Sequence, residues 1–381
     1  MRFSSICFPL LAGALLLGSP ARAQTPDSAA APGKARRVRG ADAAADSAYA
    51  VRHEQQRYLL DAIQRNRPIS WIAPGGELTA RPHFTAAGAP ERQPRYLFSA
   101  YLSSTFVVVS QSRFAFTVDP GFLVRMRREG GGKGSYPIRT PSYHIGTSLY
   151  LRLKMKTKKP PLDFGGRQPL TPPDDDIRYQ FLRLGVLHHS NGQEGAPFVG
   201  GRPNQLDGNF ANNSLEAAYV VGARTTDGAW SIAPYGSYGL PFSADSTQRG
   251  RYLFHRVGVR LTREVFSTWR RVLGQAAQAT DAGTVDLARR NKSRLYTELN
   301  VSLVLSRLDS LAPAERRLER RRFNAEVTAV YIPRWTAQTG IFLTLGYYGE
   351  DPYNIWYLHR YPFARVGIAT AAFRNVTQLL R

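Results

Sequence analysis

The chain of 381 residues carries a single cysteine, Cys7, and what it lacks narrows its class before any motif is read. Cys7 lies ahead of the apolar run Leu10 to Leu17, with Arg2 before it and the small-residue site Ala21-Arg22-Ala23 after it. That order is an export signal over 1–23, without a lipobox. Cleavage after Ala23 is expected to leave a mature chain that starts at Gln24 and has no cysteine. Such a chain forms no disulfide and offers no thiolate to a metal. No segment approaches eighteen consecutive apolar residues, which excludes helical membrane spans. No G-x-S-x-G turn is present either, which removes the nucleophile elbow of soluble esterases. Acidic residues are few, 28 Asp and Glu against 51 Lys and Arg, for a formal charge of +23 that falls to +21 without Arg2 and Arg22. The basic residues are spread over loops, so the expected counter-charge is an anionic lipid surface and not nucleic acid.

What is present is organised by period. Residues 24–48, rich in Ala, Pro, Asp, Ser and Arg, read as a disordered leader. Tyr49, Val51, Tyr58, Leu59, Ala62 and Ile63 then suit one short amphipathic helix that ends before Arg67-Pro68, so 24–76 is leader plus helix. From residue 77 the period becomes two. Candidate strands are 77–87, 95–109, 113–127, 142–155, 178–190, 212–222, 229–240, 250–263, 294–307, 322–333, 338–348 and 361–372. Their length of about eleven residues is what a tilted strand needs to cross a bilayer. Connections alternate as well. Ser110 to Arg113, Gly222 to Gly228 and Arg334 to Gln338 are tight, while 128–141, 191–211, 240–250 and 349–361 are long and polar. Two stretches on the short-turn side, 156–177 and 264–293, read as insertions.

The expected fold is therefore all-β: a twelve-stranded antiparallel transmembrane β-barrel over 77–373, with both chain ends on the periplasmic side. Residues 374–381 form a basic tail. Tyr and Phe, at 19 each, suit the aromatic girdles of such a barrel. A soluble β-sandwich is the competing architecture.

One strand holds groups suited to chemistry. Side chains two apart share a face of a strand, so Leu182, Leu184, Val186, His188 and Ser190 lie together, and Arg183, Gly185, Leu187 and His189 lie opposite. The apolar series marks the lipid side and puts His188 and Ser190 on the outer wall. Imidazole as general base and hydroxyl as nucleophile is one use of that pair; an interfacial polar pair at headgroup level is the other. The adjacent strand supplies Asn212 and Asn213. Asn213 shares its face with Leu215, Ala217, Tyr219 and Val221, and is expected beside His188. Asn212 is the alternative.

Gly185-Val186-Leu187-His188-His189-Ser190-Asn191-Gly192 resembles the nucleophile segment of the outer-membrane phospholipase A family. Ala229 to Tyr235, Gly346 to Asp351, Phe363 to Ile368 and Pro137-Ile138-Arg139 to Tyr143 are similar to further strands of that family, so the resemblance runs over about residues 95–372. It implies a twelve-stranded barrel that hydrolyses phospholipid acyl esters in the outer membrane as a calcium-dependent homodimer. It also implies Ser190 as nucleophile, His188 as base and Asn213 as orienting amide. For Ca2+ it points to Gln193 and to Ser135 from across the dimer, with Asp207 or Glu194 as compensating ligands. Gly208 and Asn209 stand where the family has a calcium-binding serine, and loop 191–211 is longer than expected. The alternative function is a catalytically silent barrel with a pore or structural role.

Overall fold

The computed structural model describes residues 49, 51–52, 55–79, 83–84, 90–91, 95–128, 140–158, 176–200, 202–204, 206–225, 228–240, 255–267, 293–305, 323–336, 339–354 and 361–370. The expected export signal (1–23) and leader (24–48), Ser135, most of both expected insertions and the expected tail 374–381 lie outside them.

Twelve antiparallel strands close into a transmembrane β-barrel. In chain order they are β1 (Ser70–Ala73), β2 (Arg95–Ser103), β3 (Phe114–Arg128), β4 (Ser142–Lys158), β5 (Asp176–Ser190), β6 (Ala211–Thr225), β7 (Gly228–Gly239), β8 (His255–Ser267), β9 (Ser293–Val304), β10 (Phe323–Ile332), β11 (Thr339–Tyr348) and β12 (Tyr361–Thr370). Each pairs with its sequence neighbours, and β1 closes the ring between β12 and β2 through Ser70 opposite Thr370 and Trp71 opposite Tyr101. Each of the twelve ring strands is thus paired on both sides, which is what lets a sheet sit in lipid. No described helix is long and apolar enough to cross a membrane.

The alternation read in the sequence is the alternation seen. Along β11, Ile341, Leu343 and Leu345 point outward while Phe342 is buried. Along β5, Ile177, Tyr179 and Phe181 are buried inside and Leu184 and Val186 are 40% and 48% exposed outside. An apolar exterior of this kind is stable only against hydrocarbon.

Several strand ends shift by a few residues from expectation, among them 250–263, whose strand runs His255–Ser267, and 212–222, whose strand runs Ala211–Thr225; two differences change the architecture. The closing strand is not 77–87 but the four residues Ser70–Ala73. After it the turn Pro74 to Glu77 leaves the sheet, and only Leu78–Thr79 returns to pair with β12. Gly76 makes that turn possible: its φ is +65°, and a Cβ would stand 1.9 Å from the Tyr96 carbonyl oxygen. His83–Phe84 pairs locally with Pro90–Glu91, away from the barrel. The second difference is a break in 95–109 between Ser103 and Phe106, after which Phe106–Ser110 resumes pairing with β3. Pro120 stands opposite the break. Its carbonyl accepts the Ser104 N–H at 3.0 Å, and it has no N–H to return.

Both ends of the lumen are filled. At the tight-turn end the helix of residues 55–65 inserts Tyr58, Leu59, Ala62 and Ile63 against Tyr150, Tyr179, Phe181 and Val220. Burying Leu59 and Ile63 completely contributes about 1.5–3 kcal/mol each. Its polar side is tied to the wall by Asp61–Arg224 (3.4 Å), Arg65–Glu264, Gln55–Arg152 and Gln56–Ser110. At the long-loop end a fully buried Arg125 donates to both carboxylate oxygens of Asp351 at 2.7 Å and to Glu77 at 2.9 Å. Its guanidinium lies between the rings of Tyr96 and Tyr353, about 5 Å from each. Tyr361 donates to Glu77 at 2.8 Å and is 2.9 Å from Asp351. A cavity of about 300 Å³ bordered by Asp119, Arg183, Glu216 and Arg260 lies inside the wall.

Candidate functional site

His188 and Ser190 occupy the last outward positions of β5, at the long-loop end of the barrel. The β5–β6 register sets Asn213 directly opposite His188 and Ala211 opposite Ser190. On the other flank Tyr143 and Ile145 of β4 face the same pair. Strand parity therefore brings the three polar groups together on a wall that is otherwise apolar.

The geometry within the group is specific. His188 Nδ1 lies 2.7 Å from Asn213 Oδ1. An amide oxygen only accepts, so Nδ1 carries the proton and Nε2 is left with its lone pair. That is the tautomer a general base requires. Ser190 stands two residues along the strand on the same face, roughly 6.6 Å away by backbone rise. Among the described residues no hydrogen bond joins its hydroxyl to His188. Such bonds are commonly long before substrate is bound.

Asn212 is opposite His189 and faces inward, which resolves the two asparagines as parity suggests. His189 is 8% exposed. Its Nε2 lies 2.5 Å from Ser142 Oγ, and its ring meets His144 edge-on at 4.1 Å and Phe210 at 4.8 Å. It belongs to the lumen packing under the site.

Asn191 lies in the motif Gly185 to Gly192 with no role assigned from the sequence, yet it organises the segment after Ser190. Its side chain is buried, donates to the Gly208 carbonyl at 2.8 Å, and accepts from the backbone N–H of Phe210 at 2.9 Å and of Gln193 at 3.2 Å. Its backbone N–H donates to the Phe210 carbonyl at 3.0 Å. One side chain thus holds the end of β5 against the start of β6, which sets the height of Ser190. The available signal was an asparagine before glycine at a strand end, where such side chains bond neighbouring backbone. Gly192 follows with φ +66° and turns the chain out of the sheet. Its N–H has no partner among the described residues.

The metal candidates are less concentrated. Asp207 is exposed, and its carboxylate accepts from Asn204 Nδ2 at 2.7 Å, while its carbonyl accepts from the Gly195 N–H at 3.0 Å. Gln193 and exposed Glu194 follow the turn. Among the described residues no three His, Cys, Asp or Glu side chains converge on a point. Calcium takes six to eight oxygens; the described loop supplies two exposed carboxylates, Glu194 and Asp207, of which Asp207 is already held by Asn204, and among the described residues these do not assemble a calcium site.

No family model matches the chain, and neither the curated proteins nor the solved structures contain a match to it.

Proposed function

We propose that this protein is an outer-membrane phospholipase that hydrolyses acyl esters from the lipid side of its barrel. The observation that carries this reading is the Asn213–His188 hydrogen bond on the outward face, one strand step from Ser190. A polar trio on a lipid-facing wall, of which only His188 and Asn213 are hydrogen-bonded to each other, is costly, and an ester-bearing lipid is the substrate that meets it there without leaving the bilayer.

In this reading Ser190 Oγ attacks the ester carbonyl carbon as its proton passes to His188 Nε2. Asn213 keeps the imidazole in the required tautomer through Nδ1, but as a neutral amide it lends the imidazolium no full charge. The tetrahedral oxygen takes a hydrogen bond from the Gly192 N–H, the backbone donor left free two residues beyond the nucleophile. Collapse breaks the ester bond, the leaving alkoxide takes the proton from His188, and the lysophospholipid departs. A water, deprotonated by the same imidazole, then frees the fatty acid from Ser190.

The filled lumen speaks against the alternative of an open pore, because helix 55–65 occupies one end and the Arg125 cluster the other. The test is a mixed-micelle assay on the folded protein. Ser190→Ala is expected to abolish fatty-acid release while the heat-modifiable barrel persists; unchanged release in that variant would remove the enzyme reading. Excess chelator in the same assay decides the calcium requirement, and cross-linking with and without calcium decides the homodimer.

A further inference from the structure

Below the trio the outer wall has a notch that the barrel itself does not require. Counting down the outward face from His188, the first row reads Val186, Leu215, Tyr238 and His255, and the second reads Leu184, Ala217, Gly236 and Val257. In the second row Ala217 and Gly236 stand side by side with almost no side chain between Leu184 and Val257. The concavity that results, about 670 Å³, is bounded above by Leu215 and by Tyr238 stacked on His255 at 4.3 Å, and reaches Leu305 on the far side.

Gly236 is the informative residue. Three other strand glycines are explained by a neighbouring ring: a Cβ at Gly222, Gly258 or Gly346 would come within 2.6 Å of Tyr179, Tyr235 or Phe363. At Gly236 the only atom a Cβ would meet within 4 Å is the Arg256 carbonyl oxygen, at an ordinary 3.6 Å, and its φ lies outside the left-handed region. A glycine weakens a strand and leaves nothing to pack. Here it preserves an open surface.

Its depth identifies the occupant. Leu184 is six residues from Ser190, a rise of roughly 20 Å along the strand, or roughly 14 Å along the membrane normal for a strand tilted by about 45°. One leaflet of hydrocarbon is about 15 Å thick. An acyl chain with its ester carbon at Ser190 therefore brings its methyl-terminal half to the notch. We infer that the Ala217–Gly236 notch is an acyl-chain subsite that makes the site selective for phospholipids with long chains. This inference rests on the proposed ester hydrolysis at Ser190.

The experiment compares hydrolysis of dioctanoyl and dipalmitoyl phosphatidylcholine in mixed micelles by the full-length protein. Variants are Gly236→Leu, Ala217→Leu, and Ala325→Leu on the outward face of β10 as a control. Filling the notch is expected to lower the palmitoyl-to-octanoyl ratio of kcat/KM roughly tenfold, while octanoyl turnover and the control's ratio stay unchanged. Two notch variants keep the test open if one fails to give the heat-modifiable band. A ratio unchanged in a folded notch variant overturns the subsite but leaves the enzyme standing. Absence of Ser190-dependent hydrolysis of either lipid by the unaltered protein overturns both.

Discussion

Asn213 and His188 are direct partners across the β5–β6 pair, and their side chains meet at 2.7 Å on the lipid face of the barrel. Backbone pairing at this position does what a third catalytic side chain must do: it presents an acceptor to Nδ1 at fixed height. Asn213→Ala is accordingly expected to lower kcat by roughly tenfold or more, yet by less than Ser190→Ala, because orientation is lost while nucleophile and base remain. Asn213→Asp adds a full charge beside Nδ1 and is expected to retain more activity than the alanine variant. The measurement is kcat on micellar phospholipid, and equal activities for the two variants would count against the orienting role.

His189, one residue from the proposed base, faces the other way. Its removal leaves the Ser142 hydroxyl only its longer contact to His144 Nε2 at 3.4 Å and opens space beside His144 and Phe210. His189→Ala should therefore cost about 1–3 kcal/mol of stability, seen as a lower temperature for the heat-modified band. Turnover per folded molecule should change far less than in His188→Ala. Comparable losses of turnover in the two variants would contradict the parity assignment.

Arg125 is enclosed by two carboxylates and two rings. Removing one member of a buried ion group leaves the others uncompensated, so Arg125→Ala is expected to cost about 3–5 kcal/mol. The same end of the barrel carries Asn191 and the β5–β6 loop, so the variant also tests whether the site depends on that closure. Denaturant midpoints for Arg125→Ala, Asp351→Ala and Arg125→Ala/Asp351→Ala give the coupling. A double variant no less stable than Arg125→Ala is the expected outcome.

The helix plug should respond to acid. Burial at Asp61 favours the neutral carboxyl, but Arg65 and Arg224 outweigh it and hold the group below the ordinary carboxylate value of 3.8. A depressed folded-state value means that Asp61 stabilises the docked helix above the ordinary carboxylate range. That stability is lost as pH falls through the lowered value. Fluorescence of a probe on helix 55–65 should report release in this acid window, and Asp61→Asn should weaken the docking at neutral pH and flatten its acid dependence. A neutral-pH docking strength identical to that of the unaltered protein would show that the ion pairs contribute nothing.

Much of this protein was readable from its residues because a barrel wall writes its two environments into alternate positions. The period of two, the spacing of turns and the parity of Leu182 through Ser190 lead to twelve strands, a lipid face and the pairing of His188 with Asn213 over Asn212. None of these inferences needs a distance. The closing strand was missed for a physical reason: Ser70–Ala73 is four residues long, too short to show a period, and its strand identity comes from β12 and β2 on either side.

Other features are products of tertiary structure alone. Arg125, Glu77, Asp351 and Tyr361 are spread over 284 residues of chain and meet because a closed cylinder brings distant strand ends to one rim. Asn191 acts through backbone groups of another strand, and the notch at Ala217 and Gly236 is a shape made by two neighbours across a pair. Alternation in sequence determines which face a side chain takes. Only closure of the sheet determines which side chains become neighbours.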